Sequence, residues 1–283
     1  MIVDSHHHFW DPARADYPWM TDELAKIRRP YGPADLEPLL RQAGVKRTVV
    51  VQARHDLAET RELLQLAAGS DFVAGVVGWV DLTDAGAAGT LEELRAAPGG
   101  GKLVGVRHQV HDEEDPAWLL RPDVQRGLTA VGEAGLAYDL LVRTRELPAA
   151  VRAAGLHPDL RMVVDHLGKP PIATGDDEGW AAAMAPLAAL DNVCCKLSGL
   201  VTEADWSAWK PEDLAPYVRR ALSWFGAERC MFGSDWPVCE LAASYAEVLQ
   251  ALTLALDDLD GRAKAAVLGE TAVSFYRLAP SVE

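Results

Sequence analysis

The chain is poor in the features that mark several large protein classes. Only four cysteines occur among its 283 residues, Cys194, Cys195, Cys230 and Cys239, and none stands in a CxxC pair. That argues against a zinc knuckle or a disulfide scaffold and fits buried thiols in a reducing, cytoplasmic compartment. Basic residues are few: 27 Lys and Arg face 42 Asp and Glu, a formal net charge of −15. With no basic patch to displace counterions, nucleic acid and anionic membrane are poor candidates as partners. No apolar run approaches the length of a membrane span. The segment opening at Ile2 carries charge and histidines at once, so no signal peptide is expected. No GxGxxG follows an early strand, which argues against a dinucleotide-binding open sheet. Charge runs and internal linkers are missing too. Residues 1–283 read as one domain, with assembly into a homo-oligomer left open.

What is present is a recurrence of short apolar, β-rich runs, at 2–8, 47–53, 73–81, 102–108, 136–142, 161–166, 192–198 and 229–235. Most are continuously hydrophobic, the pattern of strands covered on both faces in a parallel sheet. Helical patterns lie between them. Asp56-Leu57-Ala58-Glu59 has the form of a capping box before Leu63, Leu64 and Leu66. Pro211 opens a stripe of Leu214, Tyr217, Val218, Ala221, Leu222 and Phe225 at helical spacing. Residues 85–97, 123–134, 145–155 and 178–190 are Ala- and Leu-rich in the same way. Eight strands alternating with helices predict a single (β/α)8 barrel, for which about 250 residues is typical.

Polar residues interrupt the apolar runs at their C-terminal ends. The first run ends in His6 and His8, the second in Gln52, the fourth in Arg107-His108, the sixth in Asp165-His166, the seventh in Lys196 and Ser198, and the eighth in Asp235-Trp236, while Asp139 lies within the fifth. In a barrel these ends meet at one mouth, where active sites are built from several strands. Burying so many unpaired charges as packing would cost several kcal/mol each. His6 and His8 are two apart, so a strand aims both imidazoles to one side, and His7 to the other. With His166 and Asp235 they make a set of three imidazoles and one carboxylate that suits one divalent transition metal, zinc foremost. His55, His111 and His157 read as solvated loop residues, and His108 as a substrate or supporting contact. Asp4 reads as a loop brace, and Asp139 as a group that could fix a histidine tautomer.

The ordered set V-D-S-H-H-H-F-W, V-V-V-Q-A, G-V-R-H, V-V-D-H-L-G-K-P, C-K-L-S-G and M-F-G-S-D-W-P-V resembles the amidohydrolase superfamily, from residue 2 to about residue 240. More narrowly it is similar to the amidohydrolase-2 type sugar lactonases, the branch of L-fuconolactonases and L-rhamnonolactonases. The resemblance implies a TIM barrel that hydrolyses an aldono-1,4- or 1,5-lactone to the aldonic acid. It places metal ligands at His6, His8, His166 and Asp235, with Asp235 as general base. His166 would complete the metal shell or polarise the carbonyl. Arg107 and Lys196 would stabilise the oxyanion or grip the sugar, and Gln52 would orient a hydroxyl. Trp19 and Trp236 could wall the sugar face or equally be core aromatics, and Lys169 could reach the mouth. Members of the superfamily with two metals bridge them by a modified lysine on the fourth strand, where this chain has Arg107, so one metal is expected. Where the branch tends to show Asn-Ala-x-x-x-Tyr, this chain has Glu270-Thr271-Ala272 leading to Phe275-Tyr276. The same barrel and ligand set also serve decarboxylases of aromatic or unsaturated carboxylic acids and hydrolases of dicarboxylate lactones. A non-catalytic sugar-acid binder is disfavoured, because a binder has no use for a base beside a metal.

Overall fold

The computed structural model of the chain describes residues 1–280. Eight strands appear in chain order: β1 (Ile2–His7), β2 (Val45–Val51), β3 (Val73–Gly78), β4 (Leu103–Gln109), β5 (Ala137–Leu141), β6 (Met162–Val164), β7 (Val193–Leu197) and β8 (Cys230–Phe232). Each pairs in parallel with the next in a sheet ordered β1 to β8. The sheet closes on itself through a parallel bridge between His7 and Trp236. The predicted (β/α)8 barrel is therefore the fold. Helices α1 (Pro33–Ala43), α2 (Leu57–Ala68), α3 (Ala87–Ala96), α4 (Pro122–Glu133), α5 (Leu147–Leu156) and α6 (Glu178–Ala188) follow the first six strands. After β7 come the short α7 (Leu200–Glu203) and α8 (Pro211–Phe225), and after β8 come α9 (Tyr245–Ala255), α10 (Gly261–Ala265) and α11 (Thr271–Tyr276). No described helix is long and apolar enough to cross a membrane.

The strand pattern explains the layering inside the barrel. Residues two apart share a face, so Ala137 lies beneath Asp139, Val163 beneath Asp165, and Cys194 beneath Lys196. The lower positions join Val3, Val49, Val77 and Met231 in an apolar layer, which Phe275, Tyr276 and Leu278 pack against. The C-terminal residues thus cover one end of the barrel and leave the charged layer facing the other. Glu59, expected as the reciprocal half of a capping box, has a different task. Asp56 does cap α2, accepting from Ala58 N at 2.8 Å. The Glu59 carboxylate instead accepts from the backbone N–H groups of Ala53 and Arg54, each at 3.0 Å, and so holds the exit of β2.

Strands β6 and β8 are shorter than their apolar runs. His166 (φ 52°) and Asp235 (φ 56°) lie just beyond them in left-handed backbone, a conformation that costs a non-glycine residue energy. Two glycines make the turns possible. A Cβ on Gly199, itself at φ 63°, would stand 2.5 Å from His166 Nδ1, and one on Gly233 would stand 2.7 Å from His6 Cβ.

The closing seam is braced by Asp4. Its Oδ1 accepts from His6 N at 3.1 Å and Ser234 N at 2.9 Å, and its Oδ2 from the Tyr245 hydroxyl at 3.0 Å. Burial nevertheless pushes the Asp4 carboxyl from 3.8 up to about 6. The folded state therefore holds this proton more tightly than the unfolded chain. The stability it contributes is full below about pH 4 and is lost as pH rises through 6. Relative to Asp4→Asn, the wild-type protein should lose on the order of 2–3 kcal/mol of unfolding free energy between pH 4 and pH 7. Urea unfolding of both proteins across that range checks this; parallel pH profiles would show that Asp4 does not titrate between its folded and unfolded values.

Candidate active site

Barrel closure brings the first and last strands into register at the mouth. His8 N donates to Trp236 O at 2.7 Å and Asp235 N to His6 O at 2.8 Å. These bonds set the Asp235 carboxylate beside the imidazoles of strand one. Its Oδ1 lies 3.8 Å from His6 Nε2, 3.5 Å from His8 Nε2 and 3.9 Å from His166 Nε2. The two strand-one imidazoles face each other, Nε2 to Nε2, at 3.2 Å. The four residues that the sequence singled out as a ligand set therefore converge.

Each imidazole is oriented from behind. His8 Nδ1 donates to the Val51 carbonyl at 2.8 Å, which leaves its Nε2 lone pair facing Asp235. His166 Nδ1 bonds the Ser198 hydroxyl at 2.9 Å. His6 Nδ1 lies 3.0 Å from Lys196 Nζ and 3.4 Å from Asp165 Oδ1, so it can accept from the first or donate to the second. Burial, followed by the nearby Lys196 charge, holds His6 well below the ordinary histidine range. Burial likewise depresses His166, with the His6 ring next in weight. Both are thus neutral near pH 7, the state in which an imidazole can coordinate a metal.

A zinc–nitrogen bond of about 2.0–2.1 Å requires donor atoms roughly 3–4 Å apart. The separations among His6, His8 and Asp235, 3.2 to 3.8 Å, fall in that interval, so these three side chains fit one divalent ion. His166 Nε2 approaches Asp235 Oδ1 at 3.9 Å but lies outside this group. A second grouping, His6, Asp165 and His166, is also close enough for ligation. It is filled by the protein's own cations: Arg107 Nη1 lies 3.0 Å from Asp165 Oδ2, and Lys196 Nζ 3.0 Å from Asp165 Oδ1.

Beneath the imidazoles lies a buried charge network. Lys196 Nζ bonds Asp139 Oδ2 at 2.6 Å, and the Tyr276 hydroxyl donates to the same oxygen at 2.7 Å. Burial raises the Asp139 carboxyl to about 6, against the opposing pull of Lys196. Asp139 touches no histidine, so the tautomer-fixing role belongs to Asp165 and Lys196. Tyr276, read only as a C-terminal difference, is the residue that ties this terminus to the site network.

Several sequence-based expectations need correction. Lys196 has 0% exposure and is saturated by Asp139, Asp165 and His6, so it supports the site from below and cannot grip a substrate. Gln52 is fully buried too; its Oε1 accepts from Arg107 Nη2 at 2.9 Å, and it aims the guanidinium instead of meeting a hydroxyl. Trp236, 1% exposed, is a core aromatic packed edge-on to Phe9 and Tyr31. His108 follows Arg107 on β4 and therefore points the other way. It stacks between His55 and Trp118 and bonds Glu113. His7 faces away and bonds Thr48, as its place in the strand predicts.

A cavity of about 440 Å³ stands over the site, with His8, Arg107, His166 and Asp235 on its floor. Trp19 and Lys169, both anticipated, reach it. Trp19 is fixed by its indole N–H on Ala53 O, and Lys169 is paired with Glu203 Oε1 at 2.6 Å. His111, expected to be a solvated loop residue, is instead mostly buried and lines it; Asp112, Arg143 and Glu203 line it too and escaped the sequence reading. They lie just beyond the strand ends, His111 and Asp112 in a single 3-10 turn and Glu203 at the end of the four-residue α7, segments too short for a periodicity to signal direction, and only their chemistry could have flagged them.

Comparison with known proteins agrees with this geometry. Residues 3–278 match the amidohydrolase family. The chain is 43% identical over 282 residues to an L-fucono-1,5-lactonase of Burkholderia ambifaria, covering 98% of this chain and 95% of that protein. It is 41% identical over 287 residues to an L-fucono-1,5-lactonase of Burkholderia multivorans, covering 98% and 96%. Among solved structures, a Burkholderia multivorans amidohydrolase with bound zinc superposes with a TM-score of 0.94 at 40% identity, covering 99% of this chain and all of that one. A closed parallel barrel with this mouth, matched along nearly its whole length, makes the chain a member of the amidohydrolase family.

Proposed function

We propose that this protein is a hydrolase that opens a sugar lactone, of the L-fucono- or L-rhamnono- kind, to its aldonic acid. One observation carries the reading. A carboxylate, Asp235, faces the cavity floor beside three neutral or acceptor-poised imidazoles and a guanidinium. The two Burkholderia relatives, named L-fucono-1,5-lactonases, support the substrate class.

Asp235 Oδ1 and His8 Nε2, 3.5 Å apart, are both acceptors, so one water can donate to the two together. As that water attacks the lactone carbonyl carbon, Asp235 takes its proton. His166, on the same floor, faces the carbonyl oxygen and stabilises the charge it acquires, and the buried Arg107 guanidinium, held by Gln52, Asp165 and His6, adds its positive field from below. For His166 this requires the Nε2–H tautomer, which the Ser198 hydroxyl supports by donating to Nδ1. Collapse of the tetrahedral species breaks the bond from the acyl carbon to the ring oxygen, and Asp235 returns its proton to that oxygen. The product is a carboxylic acid carrying a new hydroxyl, and it ionises at neutral pH.

His6, His8 and Asp235 would hold a single divalent ion, zinc by the nature of the donors, while His166, expected to complete the shell, serves the carbonyl instead. Bound there, the ion would add Lewis-acid polarisation and lower the pKa of a nearby water. We also place the protein in the cytoplasm, in keeping with its four unpaired cysteines.

A pH-indicator screen of L-fucono-, L-galactono- and L-rhamnono-lactones, run beside a carbon dioxide assay on aryl acids, tests the reaction class. Acid release from a lactone is expected; carbon dioxide release with no lactone turnover would point to a decarboxylase. Asp235→Asn should keep the fold by circular dichroism and lower kcat by at least about 100-fold, the usual weight of a general base. Near wild-type turnover would remove Asp235 from that role. By calorimetric titration, His8→Ala should weaken zinc binding at least about tenfold, since it deletes a ligand whose supporting contacts alone carry that much. Unchanged affinity would move the ion elsewhere.

A further inference from the structure

From His166 to Lys169 the backbone stays in the left-handed region for four residues, at φ 52°, 53°, 66° and 54°, and only Gly168 adopts it freely. Such strain persists where the surroundings over-determine it. Leu167 is fully buried, its carbonyl accepts from Trp180 Nε1 at 2.7 Å, and Lys169 N donates back to His166 O at 2.8 Å. The turn thereby returns Lys169 to the side of His166 and into the cavity wall. A second segment diverges from the same imidazole. Ser198 bonds His166 Nδ1, Gly199 lies against the ring, and α7 then runs to Glu203, which also lines the cavity. The two segments rejoin: Ala173 N donates to Glu203 O at 2.9 Å, and Lys169 Nζ to Glu203 Oε1 at 2.6 Å. With side-chain exposures of 16% and 22% the pair is reachable from the cavity, and an ion pair this accessible adds little stability. What it offers is unused bonding capacity. Glu203 Oε2 and the remaining hydrogens of the Lys169 ammonium have no partner among the described residues.

Given the lactonase reading, on which this inference rests, the pair has a defined place against the substrate. The acyl carbon bears the carbonyl oxygen, turned to His166, the ring oxygen, turned to Asp235, and C2. The hydroxyl on C2 is the one nearest the carbonyl oxygen. Side chains anchored to His166 therefore meet it first and its C3 neighbour next. A vicinal diol needs an acceptor for one hydrogen and a donor for the adjacent oxygen, and a carboxylate paired with an ammonium supplies both, as charge-assisted bonds. We propose that Lys169 and Glu203 clamp the C2 and C3 hydroxyls, so that the enzyme selects lactones hydroxylated next to the carbonyl and uses this contact to seat the acyl carbon beside Asp235.

The test compares kcat/KM for L-fucono-1,5-lactone and its 2-deoxy counterpart, each divided by its rate constant for opening by hydroxide, which removes the inductive effect of the C2 hydroxyl. The wild-type enzyme should favour the hydroxylated lactone roughly 10- to 100-fold, the weight of a hydrogen bond to a charged group. Glu203→Gln and Lys169→Met should each lower kcat/KM for L-fucono-1,5-lactone about tenfold and leave the 2-deoxy lactone within about twofold of wild type, so the preference shrinks. Glu203→Gln keeps the side-chain shape and leaves the strained turn untouched, so it decides the matter if Lys169→Met does not fold. A wild-type preference near one, or folded variants that slow both lactones equally, would overturn the clamp while lactone hydrolysis stood; the pair would then only brace His166. No turnover of either lactone by the wild-type enzyme would overturn the hydrolase reading and the clamp with it.

Discussion

The seam between the last strand and the first is the constraint on which the site depends. Two backbone hydrogen bonds, His8 N to Trp236 O and Asp235 N to His6 O, close the barrel. The same two bonds bring the carboxylate of residue 235 to within 3.5 Å of an imbedded imidazole of strand one. Closure and assembly of the reacting groups are thus one event. The seam tolerates little change: Gly233 leaves no room for a side chain against His6, Asp4 satisfies amides from both strands, and Asp235 holds left-handed backbone. Backbone strain at a functional position persists only where its surroundings over-determine it, and here the seam does so.

Below the seam, the protein buries two cations and two carboxylates in one layer. Lys196 and Arg107 offset Asp139 and Asp165, and each charge meets an opposite one within 3.0 Å. Such a layer contributes little net stability, because desolvation consumes most of its Coulomb energy. Its value lies in direction. Asp165 and Lys196 both meet His6 Nδ1, and Gln52 and Asp165 both hold Arg107. Imidazole and guanidinium are therefore oriented before substrate arrives, as electrostatic preorganisation requires. Tyr276 extends the layer to the C-terminal helix, so the covered end of the barrel and the catalytic end share one hydrogen-bond network.

The barrel was legible because parallel strands buried on both faces leave continuous apolar runs, and eight such runs alternate with helical periodicity. The converging residues were legible because polar residues break those runs at one end only. The roles were harder to read, since strand periodicity says which face a side chain takes and not how deep it lies. Periodicity alone therefore assigns Lys196 and Gln52 to the substrate, whereas both are buried supports. His166 and Asp235 were placed inside strands, although both lie in turns that the neighbouring glycines make possible. Glu59 matched a local capping pattern, and a tertiary demand, two unsatisfied amides at the exit of β2, drew its carboxylate away. The upper cavity was least legible. His111, Arg143 and Glu203 lie in short segments just beyond strand ends, where direction is set by tertiary packing and no sequence period is long enough to record it.

In the proposed mechanism Asp235, held by the seam, is the base that delivers water to an acyl carbon. Hydrolysis of L-fuconolactone in ¹⁸O-labelled water, with the product read by mass spectrometry, tests this most directly. The expected product carries one ¹⁸O, in the carboxyl group, with the ring hydroxyl unlabelled, and its formation collapses in Asp235→Asn. Label on the ring hydroxyl, or labelled acid formed equally fast without Asp235, would contradict it.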